Sequence, residues 1–319
     1  MKIFAKKDRP QMKKGVFMIS FVIPCFNSAN TIERAINSIL NQTEKELEYE
    51  ILVIDDGSTD DLDEKMQQFY NNPKVKYYKK ENSGVADTRN FGVEKAEGQY
   101  IIFVDSDDYI KNTLVQDIRQ YIENDIDLIK WNVTFVDENQ NELLNPQSVS
   151  FDTTTGENGF NLLFGKDNLI DCLWKYAIKK ELIPKFPTGT YHEDFAVLPI
   201  IILKAKSFVS IENREYFYVQ TANSVMRTKA KTIEKKKIQD KLMHFDNLIK
   251  QSNSLELSKT TKENLQIFAT NSILAVVSDL NGENKKFYLK ELKRRKIGKY
   301  IKVRNLKQLL KKLFLSIKY

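Results

Sequence analysis

Two periods of apolar residues alternate along residues 19–124. Ile19-Ser20-Phe21-Val22-Ile23-Pro24 is a short apolar run closed by proline, and Ile32, Ala35, Ile36, Ile39 and Leu40 follow at helical spacing. That order predicts strand, loop, helix. Asn30 with Glu33 behind it is close to a capping box, with Asn in place of Ser or Thr, and sets the expected helix start. The unit recurs where Ile51-Leu52-Val53-Ile54 runs into Asp55-Asp56-Gly57-Ser58, after which Leu62, Met66, Phe69 and Tyr70 mark one face of a second helix. A third strand is expected at Val75 to Tyr78, then a helix from Val85 to Ala96. The apolar run Tyr100 to Val104 then leads into Asp105-Ser106-Asp107-Asp108.

Strands that are apolar throughout, alternating with amphipathic helices, imply an α/β fold with a mostly parallel sheet and helices on both faces. In such sheets ligands sit beyond the carboxyl ends of the strands, where both acidic clusters fall. No Gly-x-Gly-x-x-Gly follows the first strand and no Walker-type Gly-Lys-Ser occurs, which disfavours a dinucleotide dehydrogenase or a P-loop enzyme. From Asp125 to about Thr228, strand-like runs (Leu128 to Phe135, Phe208 to Ile211, Tyr216 to Val219) mix with helix-like ones (Phe160 to Phe164, Phe195 to Ala205). The remainder reads as helices. The expected organisation is a basic extension over residues 1–18, a domain over 19–228 with halves 19–124 and 125–228, and a helical basic region over 229–319.

With 319 residues, 41% of them hydrophobic, the chain can bury one full-sized core and a smaller appendage. No apolar stretch reaches the roughly 18 residues that span a bilayer, and the opening residues alternate charge with apolar side chains, so a cytoplasmic location is expected. Cys25 and Cys172 lack metal-ligand company and read as small buried hydrophobes. The net charge of +7 is unevenly spread: from Lys285 onward 14 Lys or Arg accompany the single acid Glu291, a segment charge of +13 that leaves residues 1–284 at −6. Within that segment Leu306, Leu309, Leu310, Leu313, Phe314 and Ile317 form an apolar stripe, with Lys302, Arg304, Lys307, Lys311, Lys312 and Lys318 between them. A mildly acidic body with such a terminus points to an anionic membrane surface, the alternative being a helix packed on the domain with a solvated lysine face. No nucleic-acid partner is expected, although the tail's charge keeps duplex binding as a third reading.

Asp105 and Asp107 place carboxylates at alternate positions where a strand leaves the sheet, and two such oxygens suit a hard divalent cation, Mn2+ or Mg2+, bridged to a diphosphate. The alternative is an acidic turn capping the following helix. Asp55 or Asp56 could accept a nucleobase N–H, while Asp60 reads as an N-cap for the next helix.

Four segments carry a resemblance. Ile23-Pro24-Cys25-Phe26-Asn27, Asp55-Asp56-Gly57-Ser58, Gly84-Val85-Ala86-Asp87-Thr88-Arg89-Asn90-Phe91-Gly92 and Asp105-Ser106-Asp107-Asp108 stand in the order and spacing of the family 2 bacterial glycosyltransferases with the GT-A fold. The chain resembles that family over about residues 19–225. The resemblance implies a UDP-sugar donor, with Pro24 and Phe26 lining the nucleotide pocket, Asp56 and Arg89 near the base, Asp105 near the ribose and Asp107, with Asp105, at the metal. It makes 19–124 the nucleotide-binding half and 125–228 the acceptor side. Trp174-Lys175-Tyr176, Tyr191-His192-Glu193-Asp194-Phe195 and Asn223-Ser224-Val225-Met226-Arg227 resemble the family's distal half, where a Glu-Asp pair at a helix start supplies the base. On that basis Asp194 deprotonates the acceptor hydroxyl and one displacement inverts the anomer.

Glu193 and Asp194 also suit a helix N-terminus for electrostatic reasons alone. Trp174, Lys175, Glu193 and Arg227 are weaker candidates for acceptor or sugar contact, and Trp174 has core packing as an equal alternative. One departure is Phe217-Tyr218 where the family commonly has Tyr-Arg, so a cationic clamp on the pyrophosphate rests less securely on Arg227. The expected reaction is transfer of a hexose or N-acetylhexosamine to a glycan acceptor, lipid-linked, at the inner face of the membrane. Rivals are a protein or teichoic-acid acceptor, a sugar nucleotidyltransferase, and a non-catalytic sugar-nucleotide-binding partner. Self-association is left open.

Overall fold

The structure, a computed structural model, describes residues 18–167, 170–220, 231–278, 280–303 and 306–316. A nine-stranded sheet forms its centre, in the order β3-β2-β1-β4-β8-β6-β9-β5, with β7 paired to β9 beside this path. The expected first strands are present as β1 (Met18–Cys25), β2 (Glu48–Asp55), β3 (Val75–Lys79) and β4 (Tyr100–Phe103). All three of their pairings are parallel. Their cores are apolar on both faces because helices cover both. The helix α1 (Ile32–Leu40) packs on one side, while α3 (Val85–Lys95) lies on the other, with Gly92 against Val22 and Ile54. α2 is short, Leu62–Met66.

Beyond β4 the parallel expectation needs correction. β8 (Tyr176–Lys179) enters antiparallel between β4 and β6 (Leu128–Val136), and β5 (Tyr109–Ile110) and β7 (Phe151–Thr154) pair antiparallel with β9 (Phe208–Val219). Among the described residues only β6 and β9 run parallel there. β9 is also one strand where the sequence suggests two. Its polar middle, Glu212 to Glu215, interrupts the apolar pattern and lies opposite register shifts around Asn132, so the backbone continues while the side-chain period does not. The capping-box expectation fails too, since α1 starts after Thr31 and no side chain caps it. Asp60 does not cap α2; its carboxylate accepts from Ala29 N–H at 2.8 Å and ties the second loop to the first.

Helices α4 (Leu114–Glu123), α5 (Gly156–Leu163) and α6 (Glu193–Lys204) complete the sheet's cover. α7 (Lys231–Ser254), α8 (Lys259–Ala275), α9 (Gly282–Arg294) and α10 (Leu306–Ser316) make up the C-terminal region. These helices are not a separate appendage. Ile238, Leu242, Phe245 and Leu248 of α7 and Leu265, Ala269 and Ile273 of α8 share one buried cluster with Phe160 of α5 and Phe195, Leu198 and Ile201 of α6. Among the described residues no helix is long and apolar enough to cross a membrane.

Candidate active site

The loops after β1 and β2 are bound to each other before anything else can bind to them. Asp56 N–H donates to the Cys25 carbonyl at 2.8 Å, Asn27 N–H to Ser58 Oγ at 2.9 Å, and the Asn27 side chain accepts from Thr59 N–H at 2.9 Å. Asn27 takes a left-handed φ of 51°, a turn that leaves the Phe26 ring 51% exposed at the mouth of the site. Pro24 lies half-buried behind it. Asp55 is withdrawn from the ligand-facing set: it is fully buried and accepts from Ser58 N–H and Tyr77 Oη, each at 2.8 Å. Asp56 Oδ1 accepts from Lys80 and from Ser83 N–H at 2.9 Å, and Oδ2 from Gly84 N–H at 2.8 Å. One lone pair on Oδ2 is left for a donor in the cleft.

The Asp105–Asp108 turn sorts its carboxylates by burial. Asp108 is buried and accepts from Tyr216 Oη at 2.8 Å and Val219 N–H at 2.7 Å, fastening the end of β9 to the turn. Tyr216 Oη in turn accepts from Asp105 N–H at 3.1 Å. Asp105 and Asp107 stay half-exposed at the cleft. Burial, and then the charge of Asp105, push the Asp107 carboxyl above its ordinary range, while Arg89 beside Asp105 and Arg34 beside Asp107 offset only part of the negative charge. Two such oxygens could hold a hard cation, which would take its other ligands from a diphosphate and water; no cluster of three or more metal-binding side chains occurs among the described residues. Arg34 of α1 donates to the Asp107 carbonyl and stacks 5.4 Å from the Tyr109 ring centre, adding a cation beside the turn.

The second half of the site begins at α6. His192, at a left-handed φ of 63°, turns the chain so that Glu193 and Asp194 open the helix, where acids favour the dipole. Glu193 is buried and paired with Arg89 of α3, whose other nitrogen lies 3.3 Å from Asp105. Asp194 stays half-buried; burial raises its carboxyl, opposed by the positive charges of Arg89 and Lys241. Asp171 faces it, and burial together with the Asp194 charge pushes Asp171 up to about 6. Arg89 thus links the turn after β4, which carries Asp105 and Asp107, to the start of α6, which carries Glu193 and Asp194.

Residues 20–178 match the glycosyl transferase family 2 domain. The chain belongs to this family of glycosyltransferases. Glycosyltransferase GlyG of Streptococcus pneumoniae is 29% identical over 224 residues, 66% of this chain and 73% of GlyG. The cholesterol galactosyltransferase of Borreliella burgdorferi is 31% identical over 216 residues, 63% of this chain and 59% of that protein. The chain spans 19% of the length of a Rickettsia bellii glycosyltransferase that it also matches. S. aureus TarS residues 1–349, solved with UDP-GlcNAc, superposes with a TM-score of 0.68 at 20% identity, over 89% of this chain and 81% of that one, so the GT-A fold is shared.

For this glycosyltransferase the weaker candidates need correction. Lys175 is 2% exposed with its Nζ 2.8 and 2.6 Å from the Asp167 oxygens, so it is bound within the protein and turned from any acceptor. Glu193 is buried and committed to Arg89. Trp174 is 7% exposed and stacks on Tyr216 at 4.6 Å and Tyr218 at 5.7 Å, which favours its packing role. It lies in a 3-10 turn, Leu173–Lys175, just before β8. Arg227 lies outside the described residues. Cys25 is buried as expected; Cys172 is half-buried. Arg34, Asp171 and Lys241 were missed. Arg34 lies off the apolar stripe of α1, where charge is ordinary, and neither Asp171 nor Lys241 sits in a recognisable motif.

Proposed function

We propose that this glycosyltransferase moves a hexose or N-acetylhexosamine from a UDP-sugar to a glycan acceptor by a single inverting displacement. The observation that carries this is Arg89, paired on one side with Asp105 of the acidic turn and on the other with Glu193, next to Asp194, whose carboxyl feels the charges of both Arg89 and Asp105. TarS, which shares the fold, has been solved with UDP-GlcNAc, which supports a UDP-sugar here. Pro24, Phe26, Asp56 and Arg89 form the nucleobase end, and Asp105 borders the ribose. Asp105 and Asp107 would hold Mn2+ or Mg2+, which supplies charge compensation for a departing diphosphate. Arg34 adds positive charge at the same turn. Asp194, made more basic by burial and kept ionised by Arg89 and Lys241, accepts the proton of the attacking hydroxyl.

We place the acceptor at a lipid surface on the inner face of the cytoplasmic membrane. α10 docks through Leu315, 1% exposed, and through Gly298, where an added Cβ would lie 2.1 Å from Ser316. At about 100° per residue Leu315 is nearly opposite the apolar stripe, which is therefore left outside: Leu306 is 69%, Leu310 58%, Leu313 53% and Phe314 47% exposed. An apolar face edged with lysines fits an anionic bilayer. The similarity to a cholesterol galactosyltransferase supports a lipid-linked acceptor. The test is release of UDP, GDP or dTDP from a panel of nucleotide sugars with and without chelator. Chelator-sensitive turnover confined to UDP-sugars is expected, and turnover of a GDP- or dTDP-sugar alone overturns the donor assignment.

A further inference from the structure

α7 lies beyond the family 2 match, yet one of its faces is directed at the loop that presents Asp194. Tyr191 N–H donates to Asp240 Oδ2 at 3.1 Å, and the Tyr191 carbonyl lies 3.0 Å from His244 Nε2. A carbonyl only accepts, so Nε2 carries the proton. His244 is 1% exposed and burial lowers its pKa, which keeps the ring neutral in this role. Asp240 and His244 are one turn apart on α7, and a turn earlier Lys236 and Lys237 lie 5.9 and 5.4 Å from the Tyr191 ring centre. Lys236 also pairs with Asp240 at 2.9 Å. Lys241, on the same side, stands 5.5 Å from the Phe195 ring centre.

The loop needs outside support. Gly189 and His192 both take left-handed φ values, 65° and 63°. For a residue with a Cβ, such as His192, that conformation costs on the order of 1 kcal/mol, and no side chain caps the helix it starts. α7 packs in the core through Ile238, Leu242, Phe245 and Leu248 without using its polar face. That face is taken up by the backbone of Tyr191.

We infer that Asp240 and His244 are positioning residues for glycosyl transfer, gripping Tyr191 from both sides of its backbone so that Asp194 is held at the start of α6. The inference rests on Asp194 as the base. The C-terminal region is then part of the catalytic apparatus, because displacement of a base by about 1 Å costs on the order of 10²-fold in rate.

The test uses the full chain with Asp240→Ala, Asp240→Asn, His244→Ala and His244→Gln. Asn can still accept from Tyr191 N–H and Gln can still donate to its carbonyl. Three readouts are taken: amide exchange over residues 189–195, UDP affinity, and UDP release from the donor that the panel identifies. Both Ala variants should exchange faster over 189–195, bind UDP within about twofold of wild type and lose roughly tenfold or more in turnover, with Asn and Gln restoring most of it. Wild-type exchange and turnover in both Ala variants overturns the inference, as does a loss that Asn and Gln fail to restore. Full turnover by Asp194→Asn removes the base assignment instead, and the exchange data still decide whether α7 holds the loop.

Discussion

Arg89 and Asp105, 3.3 Å apart, join the two halves of the cleft, because the same guanidinium is paired on its other side with buried Glu193. One side chain of α3 thereby sets the turn after β4 against the start of α6. Its buried Nε has no hydrogen-bond partner among the described residues, and the group is held by its two carboxylates and by the Phe103 ring, whose centre lies 5.8 Å from the guanidinium carbon.

Removing the cation should therefore cost stability as well as activity. Arg89→Met strands Glu193, 6% exposed, and is expected to destabilise the protein by about 3 kcal/mol in urea unfolding. Adding Glu193→Gln should recover much of that stability while turnover stays low. A single variant as stable as wild type would show that Arg89 is not holding the halves together.

The acidic turn makes a different prediction. Asp107 and Asp105 repel each other, so Asp107→Ala relieves charge in the free protein yet removes an oxygen that a cation needs. UDP binding measured by calorimetry should require Mn2+ or Mg2+ and be mostly lost in Asp107→Ala. Equal UDP affinity with chelator and in the variant would rule out the metal role.

The features readable in the sequence were those carried by local pattern. β4 and its turn show an apolar run meeting alternate carboxylates, and the helix start at Glu193-Asp194 is two acids before an apolar stretch. The features not readable arise from tertiary contacts. Lys175 looks the same in sequence whether it faces an acceptor or Asp167, and only the return of β8 between β4 and β6 decides it. Asp240 and His244 look like ordinary helix-surface residues until α7 is laid beside Tyr191. The adjacent aspartates Asp55 and Asp56 differ because Tyr77, from the neighbouring strand, reaches one and the 80–84 loop reaches the other.

Asp194 and its neighbour Asp171 give the protein a signature in pH. Asp171 has its folded value raised from 3.8 to about 6, so the folded state binds more protons than the unfolded one across that interval. Its contribution is favourable to folding below about pH 4 and is lost as pH rises towards 6. Asp171→Asn should flatten the fall in stability between those values. Asp194→Asn, in contrast, should keep UDP affinity within a few-fold and lose transfer by roughly 10²-fold or more. Near-normal turnover in that variant would move the search for the base to Asp171, the carboxylate facing it.

The outward stripe of α10 leads to the last prediction. Truncation from Gly298 is a poor test, because Ile301, 7% exposed, and Leu315 would be removed from the core with it. Leu310→Glu with Phe314→Glu changes only exposed positions, and such substitutions usually alter stability by about 0.5 kcal/mol or less. The double variant should melt as wild type does and release UDP from its donor at a similar rate. It should nevertheless fail to cosediment with vesicles containing phosphatidylglycerol, to which the wild-type protein binds at low salt. The lysines act through a screened field, so raising salt should weaken wild-type binding, and vesicles of phosphatidylcholine alone should bind poorly at any salt. Wild-type protein that ignores phosphatidylglycerol vesicles at low salt, or that self-associates through this stripe in sedimentation velocity until the double variant disperses it, would make the stripe a subunit interface and end the membrane assignment.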